Sequence, residues 1–466
     1  MSAPFVEELV PAPDPLATLS RFADLPHPVF LDSAAASPRL GAHSFLAADP
    51  VAVLRSERGV PDPLAWTRRA LAPYARAPLA GLPPFQGGVA GYLAYEWGAS
   101  LEQVPRPGRD DVPVPDAVLG LYDWVIAWDH AAGRAWIIST GIGEAGSGKR
   151  EAWAAERLAW VKEAVGRTGG QAVRATTSTR PPDRPTAQGL QSDFTRDEYV
   201  AGVSRVRDYI LAGDIFQANL AQRFQARLWD TPLELYRRLR RVSPAPFAAF
   251  LGCGDFAVAS ISPERFLRVD PAAGTIESRP IKGTRPRGAD PAADEALARA
   301  LAASDKDRAE NVMIVDLVRN DVSRVARPGS VRVPELCVLE RHPTVHHLVS
   351  TVTAELDAGR DALDLLAACF PGGSVTGAPK VRAMQIIAQL ERAPRGVYCG
   401  AIGYLSVTGA LDTSVAIRTA VARDRAVVFH AGAGIVADSD PETEYQETRD
   451  KAAAFARALG PLPDAP

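Results

Sequence analysis

The chain has 466 residues, of which 47% are hydrophobic and 23% charged, and its formal net charge is -3. This is the profile of a folded globular protein with ample core, and it excludes bulk disorder. With no surplus of lysine and arginine, it also excludes a nucleic-acid surface and a polybasic membrane anchor, while local clusters leave small anions open as ligands.

The first residues carry Glu7, Glu8 and Asp14 among prolines, unlike a secretory signal, and no stretch approaches about eighteen uninterrupted apolar residues. A cytoplasmic location is therefore expected. Cys253, Cys337, Cys369 and Cys399 are widely spaced without a Cys-x-x-Cys pair, which predicts reduced buried thiols.

In chain order, strand-like runs at 124–128 and 135–138 precede a helical pattern over 149–166. A polar, proline-rich stretch then predicts a connection over 166–192 between an N-terminal unit (1–165) and a second unit (193–460). Over 193–212, Tyr199, Val203, Val206 and Ile210 recur at helical spacing, with Thr195 and Glu198 placed as N-cap and capping-box partner. Short β-branched runs at 256–261, 331–333, 348–352, 400–407 and 426–429 alternate with helical patterns over 310–325 and 381–390. Strict strand–helix alternation is missing, so the fold class is α+β on large antiparallel sheets, with strands of both halves free to share them.

Several clusters in the second unit bear chemistry. Asp307 and Glu310 share one face of a helix whose Val312, Val315, Val318 and Val322 are expected to face the core. Glu444 and Glu447 repeat that spacing, and four carboxylates from two helices suit Mg²⁺. Taken singly, each pair reads more simply as a solvated acidic face. The loop Pro371-Gly372-Gly373-Ser374-Val375-Thr376-Gly377-Ala378-Pro379-Lys380 runs into a helix with Pro379 in its first turn. Its amides, with Thr376 and Lys380, make a candidate anion site that lacks Walker A spacing; a purely structural turn is equally open. Gly432 and Gly434 allow close approach to a ligand. Arg418, in a strand-like segment, needs a carboxylate from the protein or from a substrate. His346 and His347 are adjacent on a strand, so at most one faces a site. Lys282, in Pro280-Ile281-Lys282-Gly283-Thr284, offers a proton donor, a cation or a carbon nucleophile.

Together these segments resemble the chorismate-binding enzymes, nearly continuously over 194–455. The motifs are Gly213-Asp214-Ile215-Phe216-Gln217-Ala218-Asn219-Leu220, Ser262-Pro263-Glu264-Arg265-Phe266, 307–321, His347-Leu348-Val349-Ser350 and 444–451. The N-terminal half is similar more loosely, at Phe30-Leu31-Asp32-Ser33, where relatives form a tryptophan pocket, at Ser44-Phe45-Leu46 and at Gly87-Gly88-Val89-Ala90-Gly91-Tyr92. The resemblance implies two orthogonally packed antiparallel sheets flanked by helices, with Mg²⁺-bound chorismate between them. It implies Glu310 and Glu447 as direct Mg²⁺ ligands, with Asp307 and Glu444 behind them through water. Asp307 departs from the glutamate common there. Arg418, Tyr398 and Lys451, helped by Gly432, Gly434 and Thr376, are implied to hold the enolpyruvyl group, and Gly283, Thr284 and Gln217 to complete the substrate site.

Three branches of that family differ in nucleophile. Water-adding members carry a lysine where this chain has Gln217, and anthranilate-forming members an alanine where it has Lys282. Lys282, with Asn219, resembles the branch that forms 4-amino-4-deoxychorismate. That branch implies catalysis by Lys282 and Glu264, with His347 as a further catalytic candidate and Lys282 bonding C2 before ammonia enters at C4. Such attack needs neutral Lys282, and so a lysine pKa below its usual value. No Gly-x-Cys-x-Gly element surrounds Cys253, which implies a separate glutamine amidotransferase partner supplying ammonia. The alternatives are an anthranilate-forming enzyme, distinguished by its fluorescent product, and a non-catalytic binding module.

Overall fold

The computed structural model describes residues 4–35, 40–102, 104–108, 110–144, 147–166, 190–342 and 345–459. Of the connection expected over 166–192, residues 167–189 lie outside this set. Two antiparallel sheets, of twelve and ten strands, organise the chain. In the first, the order is Phe5–Glu8, Arg134–Ser139, Trp124–Asp129, His43–Ala47, Val29–Asp32, Phe247–Gly252, Ala257–Ser262, Thr419–Arg423, Ala426–Ile435, Gln217–Arg227 and Gly377–Ala378, with Gln191–Ser192 beside Gln217–Arg227. The second runs Ile281–Pro286, Val345–Glu355, Thr275–Ser278, Arg265–Asp270, Leu411–Val415, Ala401–Ser406, Gly88–Leu93, Ala117–Tyr122 and Ala52–Ser56, with Arg332–Arg341 also on Val345–Glu355.

Both sheets draw strands from both halves. Val29–Asp32 pairs with Phe247–Gly252 in one, and Gly88–Leu93 with Ala401–Ser406 in the other. Strand alternation builds the layers: Val125 and Ala127 pack between the sheets with Val258, Ile402 and Tyr404, while Trp124, Ile126 and Trp128 face outward. There they meet the Pro15–Phe22, Ser147–Gly166, Pro232–Val242 and Pro441–Leu459 helices through Phe22, Val161, Tyr236 and Phe455.

The Arg196–Leu211 helix opens on the expected capping box, Thr195 accepting from the Glu198 amide and Glu198 accepting from the Thr195 amide. In the Asp305–Ser323 helix the expected core stripe is corrected at one position. Val315 and Val322 are buried and Val318 is partly so, but Val312 is 46% exposed. The inward face instead follows Asn311, Ile314, Val315, Val318 and Val322, because buried Asn311 donates to the Leu348 carbonyl (3.2 Å) and fixes the rotation. Pro379 stands at the N-cap, one position before the helix it was expected to enter.

Candidate active site

The site lies where the chain crosses between sheets. Glu264 occupies the step from Ala257–Ser262 in the first sheet to Arg265–Asp270 in the second, and Arg418 the step from Leu411–Val415 back to Thr419–Arg423. The crossings are tied together: the Val415 amide donates to the Glu264 carbonyl (3.1 Å) and the Ile261 amide to the Arg418 carbonyl (3.0 Å).

Lys282 is aimed by a β-bulge. Lys282 pairs with Leu348 and Thr284 with His347, leaving Gly283 as the extra residue at φ +82°. A Cβ there would stand 3.0 Å from Asp307 Cβ and from Leu301 Cδ1, so position 283 needs glycine on both counts. The Lys282 Nζ reaches across to the other sheet, 3.2 Å from where a Cβ on Gly434 would be, with Gln217 Nε2 at 2.5 Å from the same point. Among the described residues the Lys282 ammonium has no hydrogen-bond or ion-pair partner, yet its charge acts on Glu264, Glu310 and Glu447 together. Residues widely separated in sequence therefore meet around this amine.

Glu264 is 4% exposed. Burial pushes its carboxyl up to about 7, against the Ser374 hydroxyl, which donates to Oε1 at 2.7 Å, and against the Lys282 charge. A carboxyl balanced there can both give and take a proton near neutrality. His347 is held differently: burial, with the Arg418 and His342 charges, lowers it to about 3, so the ring is neutral. Its Nδ1 meets Thr284 Oγ1 at 2.9 Å, and the ring also bonds the Gly283 carbonyl, so it braces the bulge. His346 points the other way, onto Asp294 at 2.9 Å.

Of the four expected metal carboxylates, three already carry cations. Asp307 receives Arg285 (2.8 Å), Glu444 receives Lys306 (3.2 Å) and Ser439 (2.7 Å), and Glu447 receives Lys451 (2.6 Å). Burial would raise Glu447, but Lys451, Lys282 and Lys306 outweigh it and hold the group below its usual range. Glu310 has no such partner among the described residues. Burial raises its pKa, helped by the Asp307 and Glu444 charges and opposed by Lys282 and Lys306. Among the described residues no three histidine, cysteine or acidic side chains converge on one point. Hard oxygen donors with one unpaired carboxylate still match Mg²⁺, which binds through few carboxylates and completes its shell with water and substrate oxygens.

Arg418 has φ +49° and is half-buried, and no protein carboxylate pairs with it among the described residues. Lys451 Nζ also donates to the Gly432 carbonyl (2.8 Å). A Cβ on Gly432 would meet Asn219 Oδ1 at 2.5 Å, so both glycines let the strand pass close under polar side chains. Among the described residues the amide of buried Gln217 and the Asn219 Oδ1 lack hydrogen-bond partners. Tyr398 is buried with its ring stacked on His430 (5.2 Å, 13°), and the Thr376 hydroxyl donates to the Gly372 carbonyl (3.0 Å).

The anion site expected around Lys380 is not formed as expected. Lys380 is turned into the protein, donating to Asp321 (2.6 Å) and to the Cys369 carbonyl (2.8 Å), because Asp321 is buried and needs a counter-charge. Two contributors had been missed. Lys306, four residues before Glu310 on the same helix face, was signalled by that spacing alone; Ser374 carried no signal beyond its place in the glycine-rich loop.

The chain belongs to the family of chorismate-binding enzymes, whose model matches residues 27–457. It is 47% identical over 379 residues to aminodeoxychorismate synthase component 1 of Salmonella typhimurium, covering 81% of this chain and 77% of that protein. It is 38% identical over 472 residues to anthranilate synthase component 1 of Pseudomonas aeruginosa, covering 97% and 94%. Among solved structures it is similar to anthranilate synthase component I from Streptococcus pneumoniae, with TM-score 0.77, 31% identity, and 91% and 93% coverage. It shares a fold with the isochorismate synthase MenF of Escherichia coli at TM-score 0.73 and 20% identity, over 99% and 96% of the chains. No helix among the described residues is long and apolar enough to cross a membrane.

Proposed function

We propose that this chain converts chorismate and ammonia to 4-amino-4-deoxychorismate, on the route to 4-aminobenzoate and folate. The observation that carries the proposal is the Lys282 amine, which stands against Gly434 with no partner among the described residues; the resemblance implies alanine at position 282 in anthranilate-forming members. Similarity to aminodeoxychorismate synthase component 1 supports it, and "component 1" implies a second chain, a glutamine amidotransferase that supplies the ammonia.

Arg418 and Lys451 bind the enolpyruvyl carboxylate. Glu310 and Glu447, backed by Asp307 and Glu444, would hold Mg²⁺, which when bound neutralises the ring carboxylate. Lys282 gives a proton to solvent and its Nζ lone pair forms a bond to C2; both ring double bonds shift by one position, and the C4–O bond breaks as Glu264 protonates the departing hydroxyl, releasing water. Ammonia then bonds C4, both double bonds shift back, and the Nζ–C2 bond breaks with its electron pair restored to the lysine. The new C4 ammonium passes a proton to the Glu264 carboxylate, which resets it. His347 stays neutral throughout and holds the bulge that aims Lys282.

Lys282→Ala tests the proposal. Product analysis should show loss of 4-amino-4-deoxychorismate, and mass spectrometry of enzyme incubated with chorismate should lose the lysine adduct. An unchanged product and rate would remove Lys282 from the chemistry.

A further inference from the structure

If amination proceeds as proposed above, ammonia must wait near Glu264, because C4 opens when that residue protonates the departing hydroxyl. Glu264 also lines a second space. This small cavity, with room for a single water-sized molecule, is walled by Ser374, Gly372, Val318, Asp321 and Cys369, and none of Lys282, Glu310, Glu447 or Arg418 lines it. Glu264 is thus shared between the cavity and the Lys282 cluster.

The walls select a guest. Arg265, the cation among them, is held by Asp412 (3.0 Å) and Glu277 (2.7 Å), and Lys380 neutralises Asp321 at 2.6 Å. Burial pushes the Cys369 thiol up to about 12, so it is a neutral wall. The Ser374 hydroxyl spends its proton on Glu264 at 2.7 Å, which leaves its lone pairs for N–H donors. Acceptors without a free cation exclude an anion and suit a small neutral donor. Ammonia has that size and three N–H groups.

We propose that this cavity is the holding site for the ammonia nucleophile, one molecule beside Glu264 and apart from the chorismate site. On leaving the cavity past Glu264, its lone pair forms the C4–N bond as the Nζ–C2 bond breaks, and one of its protons passes to the Glu264 carboxylate.

Gly372→Ala and Val318→Ile each reduce the space. A methyl on Gly372 would lie 3.5 Å from Phe266 Cε2, an ordinary contact that the fold accepts. With ammonium chloride titrated at alkaline pH, the ammonium KM should rise about tenfold in each variant, a loss of about 1.4 kcal/mol of ammonia binding. The chorismate KM and the ammonia-free appearance of the Lys282 adduct by mass spectrometry should not change. An unchanged ammonium KM in both variants overturns the holding site. So does an equal loss of adduct formation, which would mean the substitutions act on Glu264 instead. Wild-type enzyme that forms no 4-amino-4-deoxychorismate overturns the amination itself and is a separate failure.

Discussion

Gly434→Ala tests the convergence of the two sheets on Lys282. The added methyl would stand 2.5 Å from Gln217 Nε2 and 3.2 Å from Lys282 Nζ. Gln217 is 2% exposed, so it has little room to retreat, and part of the displacement falls on the lysine. Overpacking of this kind costs about 1–3 kcal/mol. If the reacting geometry bears it, the rate falls between about fivefold and about 150-fold. Position 434 has no positive φ, so alanine adds no backbone strain, and the thermal midpoint should fall only by the few degrees that this overpacking costs. The assay is initial chorismate consumption at saturating ammonium, beside a melting curve. A folded variant with wild-type turnover would show that Lys282 does not work at that point, and the proposed chemistry would fall with it.

Glu264, with its carboxyl near 7, is protonated below that pH and loses the proton it must donate above it, so it should give adduct formation a limb that declines as pH rises above about 7. The Ser374 hydrogen bond stabilises the charged form, so Ser374→Ala should move this limb to higher pH; a limb that stays put or moves to lower pH contradicts the assignment. Arg418→Met should raise the chorismate KM by about tenfold or more while leaving thermal stability equal or improved, because the guanidinium it removes has no carboxylate partner to lose among the described residues. A stability loss with unchanged KM would show a structural arginine. Glu391→Ala strips the buried Arg395 of its partner at 2.6 Å and should cost about 3–5 kcal/mol in chemical denaturation. A change within about 1 kcal/mol would mean that Arg395 finds enough compensation in the Val375 and Asn219 carbonyls it also reaches (2.8 and 2.7 Å).

Local grammar was the legible part. Thr195 and Glu198 announced their helix, the apolar run at 124–128 announced a strand, and the adjacency of His346 and His347 announced that they would diverge. Each of these depends on neighbours in sequence. What stayed hidden depends on neighbours in space. The cations on Asp307, Glu444 and Glu447 come from Arg285, Lys306 and Lys451, and of these only Lys451 pairs with a residue one helical turn away. Lys380 looked like an anion ligand until buried Asp321 claimed it. Val312 looked like core by spacing, but Asn311 set the rotation of its helix. Bulges also escape pattern reading, because Gly283 changes which way Lys282 and Thr284 point without changing the letters around it.

The two seams across the sheets carry a cost for anyone dividing this chain. A fragment of residues 190–459 would hold every side chain of the site, yet strands Phe247–Gly252 and Ala401–Ser406 would each present a bare row of amides and carbonyls where Val29–Asp32 and Gly88–Leu93 now sit. Such open edges recruit other copies, so the fragment should precipitate or oligomerise before it catalyses. For the same reason, a chimera that swaps halves between relatives must match strand register at both junctions at once.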